Sequence, residues 1–282
     1  MIFLFLTVLS SSAIALILKY NASRQSSTLQ MLAANYLTAS GLALVRILLD
    51  TESQSFSLYA LFFGAAVGIL FAAGFFVFAQ AVLRAGTAMA TTASRLSVMI
   101  PILLSVLFFA EMPHRLQYAG FALTLLTIFF FYLSLRSMGT GGLHSSAYFG
   151  LSAVTLLMGL GDFAMKLFKE SSPAATEGWM LFFIFSSALL IISTATLRSR
   201  EAIDPKAVLN GFMLGVPNMF SCYFLLAALA RLPAVLVYPF VNIGIILITS
   251  LAAWLIWGEG LNRWGRIALI SGMSALIFLG IH

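Results

Sequence analysis

The chain is a succession of apolar runs, each about as long as a bilayer is thick. The first, MIFLFLTVLSSSAIALILKYN, carries no charged residue before Lys19, and runs of similar length recur to the C-terminus. A helix that crosses the hydrocarbon core of about 30 Å needs roughly 20 such residues. Ten spans are expected, over 2–19, 29–49, 57–82, 86–110, 116–135, 146–168, 177–197, 207–230, 233–257 and 264–281. With short loops they use nearly all of the 282 residues, which leaves no stretch for a separate soluble domain. The expected fold class is therefore an all-α membrane protein with ten transmembrane helices. Helix is the economical choice because each backbone N–H and C=O in lipid must be satisfied within its own segment. The runs also lack the two-residue alternation of a barrel strand.

Charge content leads to the same class. Only 9% of residues are charged and 61% are hydrophobic, against about 25% charged in soluble domains. A water-soluble fold would lack the polar surface it needs. The net charge of +6 does not point to nucleic acid, because the cations sit mostly at span ends, where they anchor beside lipid headgroups. The single cysteine, Cys222, excludes an intrachain disulfide and a multi-cysteine metal site. The N-terminus lacks the basic region of a secretory signal, so its apolar run is read as a first span and not as a cleaved peptide. The expected location is the cell (inner) membrane, as a multi-pass protein.

The polar segment RSMGTGGLHS has the Gly/Ser composition of a flexible linker. It divides the chain into a first five-span repeat (1–137), a linker (138–145) and a second five-span repeat (146–282). The halves resemble each other. FFAE at 108–111 precedes Arg115, and IWGE at 256–259 precedes Arg263, both at an offset of 148 positions. Lys19 and Lys166 each close an apolar run, 147 positions apart. Five is odd, so the second copy must enter the membrane upside down. Inverted repeats of this kind are a common plan of secondary transporters, because two interchangeable half-packings give two related states, one open to each side.

With these features in place, the chain resembles the drug/metabolite transporter superfamily, of the ten-helix EamA type. Tyr223–Gly280 resembles the last three helices of the four-helix small multidrug resistance transporters, and Phe78–Tyr132 is its counterpart in the first half. The resemblance implies transport of small organic solutes, often outward and sometimes coupled to protons. One departure matters. The small multidrug transporters carry a membrane-embedded Glu eight residues before a Lys in their first helix. The positions so placed here are Met158, before Lys166, and Ser11, before Lys19. The proton and cation exchange chemistry of those pumps does not carry over.

Charge in hydrocarbon is expensive, roughly 2.5–3.5 kcal/mol at a helix centre on the insertion scale. Two such residues stand out. Arg95 lies deep in the fourth span, where it is expected to attract a carboxylate or phosphate on a solute, or else to pair with Asp162. Asp162, in MGLGDFAMK of the sixth span, is a proton-coupling candidate. The alternative is an ion pair with Arg95 or with Lys166 one turn on. Four amides follow: Asn35, Gln80, Asn218 and Asn242. Each can donate and accept toward a polar solute, or can bond a neighbouring helix for about 0.6 kcal/mol. Tyr238, Asn242 and Thr249 share one stripe of the ninth span, and Thr87, Thr91, Ser94 and Arg95 share one of the fourth. Ser94 and Asn242 are 148 positions apart, so the two stripes are expected to face one another across the repeat axis. Pro101, Pro217 and Pro239 mark possible helix breaks. Gly159 and Gly161 are expected to serve close helix packing. Glu111 and Glu259 are read as turn-fixing groups beside Arg115 and Arg263.

Nothing supports an enzyme, a cofactor or a resident metal. His114, His144 and His282 are scattered, and no HExxH, Walker A or GxSxG pattern occurs. The expected partners are a small-molecule solute and membrane lipids, with no nucleic acid, and the chain is expected as a monomer or homodimer. Basic residues near span ends favour an external N-terminus, whereas the family resemblance implies both termini inside. Three functions are expected in order. The first is a secondary transporter or exporter of a small polar metabolite, amino-acid-like or anionic, working by alternating access. The second is a flippase or carrier for a lipid-linked or phosphorylated compound. The third is a non-transporting scaffold or sensor.

Overall fold

The computed structural model describes residues 1–24, 26–49, 55–137, 145–172, 176–258 and 262–280. Among the described residues the ordered backbone is helical and contains no strand. The helices are α1 (Ile2–Ser23), α2 (Thr28–Leu49), α3 (Leu58–Leu96), α4 (Met99–Phe109), α5 (Arg115–Arg136), α6 (Ser145–Ser171), α7 (Glu177–Ser199), α8 (Pro205–Leu229), α9 (Ala234–Trp257) and α10 (Arg263–Gly280). Nine stretches of the described residues are long and apolar enough to cross a membrane. The tenth expected run is helical as α10, 18 residues long, and Arg263 and Arg266 in its first turn make it less apolar than the nine. The outward faces carry large apolar side chains in the open, among them Phe62 (71% exposed), Leu107 (76%) and Phe149 (80%). Lipid solvates such a surface and water does not.

The third and fourth expected spans fall on the apolar stretches Leu58–Val82 and Ala90–Phe109. The backbone stays helical between them, because α3 runs unbroken for 39 residues, and it is interrupted at Ser97–Val98. Nothing in Leu83–Arg84–Ala85–Gly86 removes a backbone donor, whereas Pro101, the third residue of α4, has no N–H to give the carbonyl of Ser97. That carbonyl accepts from Ile100 N at 3.0 Å, and Val98 N turns back to Arg95 O at 3.3 Å. Both are tightened i→i−3 bonds. Pro217 and Pro239, by contrast, sit inside continuous helices. The linker segment 138–144 and Glu259 lie outside the described residues, as do His144 and His282; Ser145 opens α6.

Two compact units divide the chain. The first is Met1–Ala72 with Leu167–Ala230, and the second is Ala73–Lys166 with Arg231–His282. Each therefore takes helices from both halves of the sequence. In the first unit α2 packs on α7 and α8, and α1 on α8; in the second α9 packs on α4, α5 and α10, and α5 on α10.

Small residues set the close approaches in the first unit. A Cβ built on Gly64 of α3 would come within 2.9 Å of the Met180 carbonyl and of Phe183 Cβ, and one on Gly68 would strike Ile184 and Ser187 of α7. On α8, a Cβ on Gly211 would meet the Met31 carbonyl and Ala34 Cβ, and one on Gly215 the Asn35 carbonyl and Thr38 of α2. These two Gly-xxx-Gly contacts are of the kind that lets membrane helices touch backbone to backbone. Gly64 and Gly211 are 147 positions apart, as are Gly68 and Gly215.

Candidate functional site

The second unit gathers Arg95, Asp162, Tyr238 and Asn242. The Arg95 guanidinium donates to Asn242 Oδ1 at 3.4 Å, so the stripes of the expected fourth and ninth spans do meet. Asn242 Nδ2 donates to the Tyr238 carbonyl at 3.2 Å, one turn earlier in α9. The Tyr238 hydroxyl in turn donates to the backbone carbonyl of Asp162 on α6. Tyr238 and Asn242 are buried, at 2% and 8% exposed, while Arg95 and Asp162 are half-buried. Asp162 and Arg95 are close enough to act on each other through their charges. Among the described residues, neither forms a salt bridge.

Local sequence explains why α3 presents this edge. The hydroxyl of Ser94 donates to the Thr91 carbonyl (2.9 Å) and that of Ser97 to the Ser94 carbonyl (2.6 Å). Both are thus satisfied within their own helix, which leaves the guanidinium as the charged group on that side. The break after Leu96 ends α3 one residue past Arg95. The Thr87 side chain lies outside the described ones. Thr249, expected on the same stripe as Asn242, spends its hydroxyl on the Ile245 carbonyl. Gln80 lies on α3 with no hydrogen bond among the described residues and is not tied to this cluster. Gly159 faces Ile100 and the Ser97 carbonyl, where a Cβ would not fit, so its role is close packing.

The second unit also holds a cavity of about 380 Å³, which Arg95 does not line. It is lined by Thr92 and Leu96 of α3, by Ile128, Phe129 and Tyr132 of α5, and by Ser152 and Thr155 of α6, among others. Its size falls within the roughly 300–1,000 Å³ of small-molecule pockets.

Glu111 is expected to fix its own turn, and an ion pair of Asp162 with Lys166 is the alternative to a free carboxylate; among the described residues the salt bridge of Lys166 is to Glu111. Glu111 Oε1 lies 2.6 Å from Lys166 Nζ, with Lys166 2% and Glu111 14% exposed. The other oxygen accepts from Ala234 N at 2.7 Å and Val235 N at 3.4 Å, the first turn of α9. A carboxylate at a helix N-terminus meets unsatisfied donors and the positive end of the helix dipole. Glu111 thus ties the end of α6 to the start of the helix that carries Tyr238 and Asn242. Sequence reasoning missed this link. The available signal was a deep lysine, which must find a counter-charge.

The remaining two amides meet in the first unit. Asn218 Nδ2 donates to Asn35 Oδ1 at 3.1 Å. Asn35 is fully buried, and among the described residues its Nδ2 has no hydrogen-bond partner, nor does the buried hydroxyl of Ser12 on α1. Gln30, also missed, bridges α2 to the α7–α8 connection by donating to the Ala202 carbonyl and accepting from Asp204 N, both at 2.7 Å.

No family model matches the chain. Over 98% of its length it is 27% identical to an uncharacterized protein of Haemophilus influenzae, of which it covers 96%. A stretch of 106 residues, 37% of the chain, is 28% identical to the quaternary ammonium compound-resistance protein QacE of Escherichia coli and covers 93% of it. A stretch of 104 residues, 36% of the chain, is 30% identical to an ethidium bromide resistance protein of Escherichia coli and covers 85% of it. One solved crystal structure superposes with a TM-score of 0.81 over 99% of this chain and 95% of its own, at 15% identity, a likeness of fold alone. On the match to the ethidium bromide resistance protein, the chain belongs to the family of the small multidrug and ethidium resistance proteins, and with its apolar helices it is a multi-pass membrane protein of transporter type.

Proposed function

We propose that the chain is a gradient-driven transporter of a small polar solute, with amino-acid-like solutes favoured. Ten helices would work by alternating access as two inverted five-helix repeats of the EamA type. The observation that carries the reading is the pair Arg95 and Asp162. Opposite charges within membrane-spanning helices act on each other and are partly buried, and among the described residues no salt bridge joins them. A zwitterion matches this arrangement, its carboxylate to the Arg95 guanidinium and its ammonium to the Asp162 carboxylate. Charge-assisted bonds of this type are about twice as strong as neutral ones. Asn242 orients the Arg95 guanidinium, Tyr238 fastens the backbone of α6 at Asp162, and the Asp162 carboxylate takes a proton when no ammonium is bound.

The inverted repeat is supported by three pairings of equivalent helices: α2 with α7, α4 with α9 and α5 with α10. The Gly64/Gly68 and Gly211/Gly215 contacts support it as well. So does the Ser271 hydroxyl, which donates at 3.2 Å to the Leu123 carbonyl, 148 positions away.

A second reading, export of lipophilic organic cations, is favoured by the relatives named for resistance to quaternary ammonium compounds and ethidium. Here Asp162 alone would meet the substrate. Flux in reconstituted vesicles separates the two, with a panel of amino acids and organic acids run beside ethidium. The first reading expects amino acid flux that both Arg95→Ala and Asp162→Asn abolish. The second expects ethidium flux that Asp162→Asn abolishes and Arg95→Ala spares. If neither variant changed any observed flux, the site would lie elsewhere.

A further inference from the structure

At one end of the first unit a second cavity, of about 200 Å³, opens between the end of α1 and the first turns of α8. Tyr20, Arg24, Lys206, Leu209 and Asn210 line it. Two cations face this space, and among the described residues neither pairs with a carboxylate. The Arg24 guanidinium rests 5.4 Å from the centre of the Tyr20 ring, a cation–π contact that fixes its direction without neutralising it. Lys206 is the second residue of α8. A cation at a helix N-terminus opposes the helix dipole, so this placement does nothing for the helix itself.

The nearby carboxylates are engaged elsewhere. Asp204 caps α8 by accepting from Lys206 N (3.0 Å) and Ala207 N (3.2 Å), and its second oxygen accepts from Ser27 N at 3.2 Å. Glu201 accepts from the Ser27 hydroxyl at 2.6 Å. The floor of the cavity is fixed by Asn210, which donates to Asn21 Oδ1 at 3.0 Å. Its rim is apolar and open, with Leu209 60% and Tyr20 44% exposed.

We infer that this cavity is an anion site for a phosphate group, and that its occupant is the headgroup of an anionic membrane lipid. Three features point to the lipid. The site sits where two apolar helices end, which is headgroup depth. Its rim continues into side chains suited to the acyl boundary. Its volume lies below the roughly 300–1,000 Å³ that encloses a drug-sized ligand, so it takes a headgroup and leaves the remainder of the molecule outside. Basic pockets between membrane helices bind anionic headgroups in this way.

The test uses the purified full chain in detergent with an equimolar mixture of phosphatidylglycerol and phosphatidylcholine, the retained lipid being counted by native mass spectrometry. Wild type is expected to retain phosphatidylglycerol in preference, by roughly tenfold or more for two cations. The variant Arg24→Gln with Lys206→Gln is expected to retain the two lipids alike, and Arg24→Lys to keep part of the preference. Melting of each variant in phosphatidylcholine alone checks that the fold is intact. No preference in wild type, or an equal preference in the double variant, would overturn the inference. Inorganic phosphate in a parallel arm distinguishes the source: if it displaces phosphatidylglycerol at equal concentration, the site belongs to a free phosphate compound and the lipid assignment fails.

Discussion

The Glu111 carboxylate joins the Lys166 ammonium at 2.6 Å and the Ala234 amide at 2.7 Å. One side chain therefore neutralises a buried cation and caps the helix that bears Tyr238 and Asn242. Breaking a buried pair from one side leaves the other charge without a partner, at about 3–5 kcal/mol. Glu111→Gln is expected to lower the melting temperature in detergent sharply, and Glu111→Leu with Lys166→Met to recover much of the loss. Equal melting of Glu111→Gln and wild type would show the lysine to be satisfied otherwise.

Arg95 is expected to matter for affinity more than for stability. A hydrogen bond to a charged group contributes about 1.5–3 kcal/mol, so Arg95→Ala should weaken solute binding by roughly 10–150-fold. The checking measurement is solute-induced stabilisation in a thermal shift titration. Asn242→Ala should act in the same direction and more weakly, since it removes a 3.4 Å contact that orients the guanidinium. A wild-type response from Arg95→Ala would remove the residue from the site.

The two glycine pairs should answer substitution alike. Gly68→Val and Gly215→Val force side-chain atoms into a facing backbone, and overpacking costs about 1–3 kcal/mol or more. Gly41 and Gly150 have no neighbour within 4 Å of a built Cβ, and both sit in helices. Gly41→Ala and Gly150→Ala are expected to stabilise by about 0.5–1 kcal/mol. Chemical denaturation of the four variants in parallel gives the comparison.

Acid should loosen the start of α8. The Asp204 carboxyl is held below its ordinary 3.8, first by the Ala207 amide and also by those of Ser27 and Lys206 and the Ser26 side chain. A depressed carboxyl contributes stability above its unfolded value and loses it as pH falls through the folded one. Melting curves between pH 6 and pH 2 should therefore drop more steeply below about pH 4 for wild type than for Asp204→Asn. Parallel curves would show that the cap does not respond to its charge.

The helices were readable because lipid permits little else, and the Arg95–Asn242 meeting was readable from helical stripes set at the repeat offset. The partner of Glu111 was not. Arg115 is its neighbour in sequence, but a carboxylate at a helix end selects among donors brought by other helices, here α6 and α9. The apolar stretches Leu58–Val82 and Ala90–Phe109 were readable by hydropathy, whereas the place where the backbone yields is decided by the missing donor of Pro101. The separate meetings of Asn35 with Asn218 and of Arg95 with Asn242 depend on how the two compact units divide the chain, which no local pattern encodes.

That division bears on how the protein is made. The partners described for α1 and α2 are α7 and α8. During synthesis the first two helices must wait in the membrane until residues 177–229 have left the ribosome, roughly ten seconds or more at ordinary elongation rates. Through that interval the Asn35 amide and the small-residue face of α2 stand open to lipid or to any passing helix. The nascent chain is thus most vulnerable early, and a membrane chaperone would have most to do before the seventh helix arrives.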